Sequence, residues 1–203
     1  VDVFLLHDPP IRLLEEQPDI LRLLDELQRD GRVRAWGVSV RSPDDGLVAV
    51  RQFDVRVIEV NFNVTDQRAR KNGLLQLCAE RGVGCIVRTP LCFGFLTGLF
   101  SGDTRFAPTD HRNRWPREQR QMWADAAQAF RAAVENLHAQ TPAQVALRFC
   151  LSYAGVSTVI PGMLLVAHVE ENAAASAFGA LSAEERRRLE EFYERQTFFW
   201  GKR

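Results

Sequence analysis

The stretch RVRAWGVSVRSPDDGLVAVRQFDVRVIEVNFN, residues 32–63, decides the fold. Two short apolar runs, 35–38 and 55–60, flank a segment that opens with Ser42-Pro43-Asp44-Asp45. That tetrad is a helix N-cap followed by proline at the first helical position, and the helix it starts runs to Val50. The unit is therefore strand, helix, strand. Both runs are nearly continuous in hydrophobicity, as parallel strands covered on both faces are.

Working outward, the same alternation recurs along the chain. Further strand-like runs occupy 1–6, 85–87 and 158–160. Asp19 stands ahead of Ile20, Leu21, Leu23, Leu24 and Leu27, which predicts a capped helix to Asp30 that stops at Gly31. Leu74, Leu75, Leu77 and Cys78 mark another, closed by Gly82. A longer amphipathic helix is expected over 117–139, and Thr141-Pro142 opens one through Leu151. Two more follow, over 169–177 and 182–195, the last with a Ser182-x-x-Glu185 capping box. One long loop, 90–116, interrupts the rhythm. Right-handed crossovers make such a chain either an open doubly wound sheet or part of a barrel. No G-x-G-x-x-G follows any strand, so the main signal for a dinucleotide-binding sheet is missing.

Composition bounds the function. The 203 residues are 46% hydrophobic, enough to bury a substantial core. Lys+Arg and Asp+Glu are both 26, and no long run of one sign points to nucleic acid or an anionic membrane surface. The four cysteines form no C-x-x-C pair and have no histidine at zinc-ligand spacing, so neither a metal site nor a disulfide scaffold is indicated. Reduced thiols in a cytoplasmic protein are the simplest account. No apolar run approaches the roughly 20 residues of a membrane helix.

In a barrel of parallel strands, chemistry sits at the strand C-terminal ends. Here those ends read Leu5-Leu6-His7-Asp8-Pro9, Gly37-Val38-Ser39-Val40, Glu59-Val60-Asn61-Phe62-Asn63, Arg88-Thr89-Pro90-Leu91 with Gly94-Phe95-Leu96-Thr97-Gly98, and Ile160-Pro161-Gly162. This ordered series resembles the aldo/keto reductase family from its fourth barrel strand to its end. Gly102-Asp103-Thr104-Arg105-Phe106 with Asp110-His111-Arg112 is similar to the bacterial branch with a long loop after strand seven. The resemblance implies a (β/α)8 TIM barrel, five of whose eight strand–helix units lie here, with residues 1–203 the C-terminal portion of a single domain.

It also implies an NAD(P)H-dependent oxidoreductase that reduces an aldehyde or ketone, by analogy a keto-sugar or small carbonyl metabolite. In that chemistry a tyrosine protonates the carbonyl oxygen, a lysine and an aspartate tune the tyrosine, and a histidine hydrogen-bonds the oxygen. By resemblance His7 is that histidine, and the tyrosine, lysine and aspartate are expected upstream of Val1. The alternative reading of His7 is a buried strand-end histidine in a structural hydrogen bond. Tyr153 and Tyr193 fall inside predicted helices, so neither is assigned a catalytic role.

The resemblance assigns cofactor contacts to Ser39, Glu59, Arg88, Pro90, Leu91, Gly94, Leu96, Gly98, Gly162, Met163, Leu164, His168, Glu171 and Asn172. Ser39 matches the serine that holds the nicotinamide amide. Glu59 stands where the family commonly has glutamine, so an amide donor has become an acceptor. Arg88 replaces an aromatic residue that stacks on the nicotinamide, as a planar guanidinium also does. Pro90, Leu91 and the glycines form the loop near the pyrophosphate, although glycines here also fit a simple turn. Glu171 and Asn172 match adenine-side positions, or form only the polar first turn of a helix. After Gly162 the family places Ser, Lys or Arg against the 2′-phosphate, whereas this chain has Met163-Leu164-Leu165-Val166. The cofactor is thus NADP(H) by resemblance, with NAD(H) left open because no basic residue follows Gly162.

A different class is also open, a degenerate barrel that binds a nucleotide or a protein without catalysis. Open sheet edges imply a homo-oligomer or a chain supplying the remaining strands. Phe198-Phe199-Trp200 either lines an apolar pocket or covers the barrel.

Overall fold

The computed structural model describes residues 1–133 and 140–200. Strand and helix alternate as β1 (Val3–Leu6), α1 (Ile11–Glu16), α2 (Pro18–Arg29), β2 (Ala35–Ser39), α3 (Pro43–Gln52), β3 (Val57–Asn61), α4 (Arg68–Lys71), α5 (Leu74–Arg81) and β4 (Gly84–Arg88). Then follow α6 (Arg117–Ala133), α7 (Pro142–Leu151), β5 (Thr158–Ile160), α8 (Val166–Ala174) and α9 (Ala183–Glu194). The five strands form one sheet in the order β1-β2-β3-β4-β5, and every pair from β1 to β4 is parallel. Gly37 is paired with Val57 in that ladder. A Cβ at Gly37 would stand 1.9 Å from the Val57 carbonyl oxygen, so only glycine allows β2 and β3 this approach.

The chain divides into two compact units. One comprises Val1–Asn61, Arg68–Arg88 and Tyr153–Val159; the other comprises Phe62–Gln67, Thr89–Ser152 and Ile160–Arg203. In the first, Val38, Ile58, Val60, Leu74 and Val87 are fully buried, and α3 meets α5 where Gly46 faces Leu74. In the second, Phe62 stacks on Phe149 at 5.5 Å, and α6 sends Trp123 against Phe95 at 5.7 Å. Among the described residues no helix is long and apolar enough to cross a membrane.

The caps form as the side chains dictate. Ser42 Oγ accepts from Asp44 N, and both Thr141–Gln144 and Ser182–Glu185 close reciprocal capping boxes. Asp19, expected as a cap, lies inside the first turn of α2 and bonds Arg22, because Pro18 takes the first helical position and leaves Gln17 as N-cap. Strand burial also differs from expectation. Val3 and Phe4 of β1 are exposed, and so is Ile160 of β5. The long loop holds two 3₁₀ turns, Cys92–Thr97 and His111–Arg114. Helices α1 and α4 are too short to register as a period, and α8 begins three residues earlier than the sequence predicts. Of the expected 117–139 helix, residues 134–139 lie outside the described residues.

Candidate functional site

At the C-terminal ends of β1 to β4, the first unit gathers a charged cluster around Arg88. Its Nε donates to Asn61 Oδ1 at 3.0 Å, Nη1 to Ser39 Oγ at 3.2 Å, and Nη2 to the Val40 carbonyl at 3.0 Å. Nη1 also lies 3.0 Å from Asp8 Oδ1 and 3.9 Å from Glu59 Oε1. The guanidinium, at the end of β4, is thus held around its rim by residues from the other three strand ends, β1 to β3.

Asp8 reaches this cluster because its backbone takes a left-handed conformation, φ 47°, which aspartate tolerates better than most residues. Its Oδ1 accepts from Ser39 Oγ at 3.3 Å and its Oδ2 from Arg41 Nε at 3.3 Å. Burial raises the Asp8 carboxyl, but the Arg88 charge, the Arg41 hydrogen bond, His7 and the Ser39 hydroxyl together outweigh it. The carboxyl therefore sits below its ordinary value. His7, the preceding residue, is exposed at the end of β1.

The second unit carries a cleft of about 610 Å³, within the range of small-molecule sites. Pro90, Leu91, Gly94, Gly162, Leu164, His168, Glu171 and Asn172 line it, all residues singled out from the sequence. Of the remaining sequence candidates in this unit, Leu96 is fully buried and Gly98 packs on Arg131, while Met163 is exposed. None of those three lines the cleft. Its floor is strained. Thr89, Cys92 and Phe93 take φ of 52°, 47° and 56°, and Gly94 follows at 90°. Thr89 is β-branched, so this conformation costs on the order of 1–3 kcal/mol and must be held by its surroundings. Asn63 Nδ2 holds it by donating to the Thr89 carbonyl at 2.9 Å.

A second wall comes from the long loop, which the sequence did not mark as lining a pocket. Phe100, His111 and Arg112 stand there. The Arg112 guanidinium lies over Phe106 at 4.2 Å and Phe100 at 4.7 Å, and Asp110 receives its Nε and Nη2 at 2.9 and 2.6 Å. Those hydrogen bonds, with the Arg112 backbone N–H, hold the Asp110 carboxyl far below its usual range. The available signal was the Asp110-His111-Arg112 triplet, where aspartate caps the turn that contains its own partner. The third wall is set by the α7 cap, whose Gln144 Nε2 donates to the Glu171 carbonyl at 3.1 Å and ties α8 to the start of α7. His168 Nδ1 accepts the Leu164 N–H at 3.3 Å, which leaves Nε2 as the ring donor. The cleft thus offers a guanidinium, two imidazoles, a carboxylate and an amide beside apolar walls. That set suits a nucleotide's base and diphosphate. Leu164 is 86% exposed, Met163, Leu165 and Val166 are exposed beside it, and none of these four side chains is basic.

A parallel sheet of strand–helix units with polar groups at the strand C-termini defines a barrel-type α/β protein whose site lies at those ends. The chain belongs to the aldo/keto reductase family, whose model matches residues 1–194. It is 26% identical over 190 residues to an NADP(+) aldo-keto reductase of Schizosaccharomyces pombe, covering 89% of this chain and 52% of that protein. It is 25% identical over 181 residues to the NADH-specific methylglyoxal reductase of Escherichia coli, covering 86% of this chain and 54% of that one. In fold it is similar to a glycerol dehydrogenase from Gluconobacter oxydans, with a TM-score of 0.77 and 24% identity over 98% of this chain and 60% of that one. The chain spans about half the length of the curated relatives it matches.

Proposed function

We propose that this chain is the cofactor-bearing part of a nicotinamide-dependent oxidoreductase that reduces an aldehyde or ketone, in the class of small carbonyl metabolites and keto-sugars. The observation that carries this reading is the strand-end cluster of Asp8, Ser39, Glu59 and Arg88 beside His7. A nicotinamide cofactor, when bound, supplies the hydride. Ser39, Glu59 and Arg88 receive its nicotinamide end, Arg88 offering a cationic face for stacking. Pro90, Leu91, Gly94, Gly162, Leu164, His168, Glu171 and Asn172 hold its diphosphate and adenosine, with Arg112 and His111 as further donors. His7 donates a hydrogen bond to the substrate oxygen, which lowers the energy of the charge that develops there. The tyrosine, lysine and aspartate of the family's catalytic set are supplied by chain preceding Val1, which joins these residues in a single barrel domain. Four free, buried cysteines suit a cytoplasmic enzyme.

The cofactor in this reading is NADH. A 2′-phosphate carries nearly two negative charges and would face the exposed apolar run at 163–166, none of whose side chains is basic. The printed specificity of the Escherichia coli relative supports the same choice.

The test follows reduced-nicotinamide absorbance in the intact protein with methylglyoxal and simple aldehydes. The expected kcat/KM with NADH exceeds that with NADPH by at least about tenfold, and Leu164→Arg narrows the gap by about tenfold. A preference for NADPH would overturn the cofactor assignment. Tight binding with no turnover of any carbonyl would assign the barrel to nucleotide binding without catalysis.

A further inference from the structure

The strained floor of the cleft in the second unit rests on a ring of buried hydrogen bonds. Thr89 and Cys92 both take left-handed backbone, φ 52° and 47°, without being glycine. Beside them the 63–66 turn closes on itself, Asn63 N donating to the Asp66 carbonyl and Asp66 N to the Asn63 carbonyl, each at 3.1 Å. Asn63 Oδ1 accepts both the backbone N–H and the hydroxyl of Thr65 at 2.8 Å, which fixes the amide and leaves Nδ2 as the donor. Nδ2 donates to the Thr89 carbonyl at 2.9 Å, and Cys92 N donates to the same oxygen at 3.0 Å. The Cys92 side chain meets the Thr65 hydroxyl and closes the ring. Asn63, Thr65 and Cys92 are each at most 3% exposed, so the ring is shut off from solvent and its bonds are strong. Thr89 lines the cleft and Asn63 does not.

We infer that Asn63 is a positioning residue for the dinucleotide: without touching it, Asn63 holds the Thr89 carbonyl and so keeps the cleft floor in its strained, binding-ready form. This rests on the nicotinamide reading of the cleft given above. A β-branched residue favours negative φ, so the left-handed turn at Thr89 persists only while its surroundings hold it. With the ring intact that cost is met once, on folding, and the ligand finds the floor already shaped. Without the Asn63 donor, Thr89 relaxes, carries Pro90 and Leu91 with it, and each binding event must restore the turn. Glycine at position 89 would take φ 52° at no steric cost, so its floor would no longer depend on Asn63.

The experiment is a double-mutant cycle on the intact protein, titrated with NADH by calorimetry at about pH 8: wild type, Asn63→Asp, Thr89→Gly and the double variant. Aspartate keeps the acceptor that Thr65 needs, and as a carboxylate it has no proton to give the Thr89 carbonyl. Asn63→Asp is expected to weaken NADH at least about tenfold beside Thr89, and less than about threefold beside Gly at that position. Asn63→Ala, run in both backgrounds, shows the same split without introducing a charge, and replaces Asn63→Asp in the comparison where circular dichroism shows that variant unfolded. A role in folding alone would lower stability in both backgrounds and would not be rescued in affinity by Thr89→Gly. Equal losses of affinity in the two backgrounds therefore overturn the inference while leaving nicotinamide binding intact, and so does an affinity that neither Asn63 variant changes. Failure of the wild type to bind NADH overturns the nicotinamide reading and the inference with it.

Discussion

Replacing Arg88 with methionine removes the cation from the strand-end cluster while keeping most of the side chain's volume. Arg88 is 17% exposed and Asp8 13%, with 3.0 Å between Nη1 and Oδ1, so the pair is mostly desolvated. Removing one partner of such a pair costs about 3–5 kcal/mol, chiefly through the charge left behind. Arg41 still holds Asp8 Oδ2 at 3.3 Å, which puts the expectation at the lower end, about 3 kcal/mol. For a chain of this size that is a fall in Tm of about 6–12 °C. Arg88→Lys keeps the charge, but one ammonium does not reach acceptors on three strand ends, so about 1–2 kcal/mol is lost. The pH dependence identifies the cause. Asp8 has a lowered folded-state value, so the stability it contributes is complete above the unfolded carboxylate range, near about pH 4, and is lost as pH falls through the folded value. The gap between wild type and Arg88→Met is therefore widest at neutral pH and narrows on acidification. Thermal melts by circular dichroism in steps from about pH 7 down to about pH 2 measure it, with the narrowing falling below about pH 4. A neutral-pH loss under about 1 kcal/mol, or a loss that does not shrink with acid, would refute the reasoning.

Gly37→Ala forces a Cβ against the Val57 carbonyl at 1.9 Å, so β2 and β3 must separate, and urea denaturation should show a loss of at least about 3 kcal/mol. A loss below about 1 kcal/mol would mean the strands do not approach as described. Cys92 is pushed up to about 12 by burial, with Asp66 adding to the rise and the Thr65 hydroxyl opposing it. A thiol reagent at about pH 8 should therefore label Cys92 only at the rate of unfolding, and prompt labelling in the native protein would contradict its burial. Thr141→Ala removes one half of the α7 capping box and should cost about 1 kcal/mol in the same denaturation assay, with Thr141→Ser recovering most of it.

The strand–helix alternation was legible because it depends on local rules. Ser42-Pro43, Thr141-Pro142 and Ser182-x-x-Glu185 mark helix starts by satisfying N–H groups within one turn, and the apolar runs mark strands. Asp19 misled for a local reason too, since a proline one residue earlier claimed the first helical position. The exposure of Val3 and Phe4 was not legible, because what packs against a strand is set by the rest of the fold and not by those two residues. The candidate site divides in the same way. His7, Ser39, Glu59 and Arg88 stand out by their place at strand ends. That Asp8 joins them depends on a left-handed backbone turn, and that Ser39 lies beneath them depends on three partners 20 to 49 residues away. The Arg112 wall required the long loop to fold back on Phe100 and Phe106, which no spacing rule announces.

The central claim is the proposal that this chain serves a nicotinamide dinucleotide with no 2′-phosphate. Titration of the intact protein with NADH and NADPH, followed by quenching of tryptophan fluorescence, tests it most directly. Saturable micromolar binding of NADH, with NADPH at least about tenfold weaker, is the predicted result. Tighter binding of NADPH, or no saturable binding of either, would contradict it.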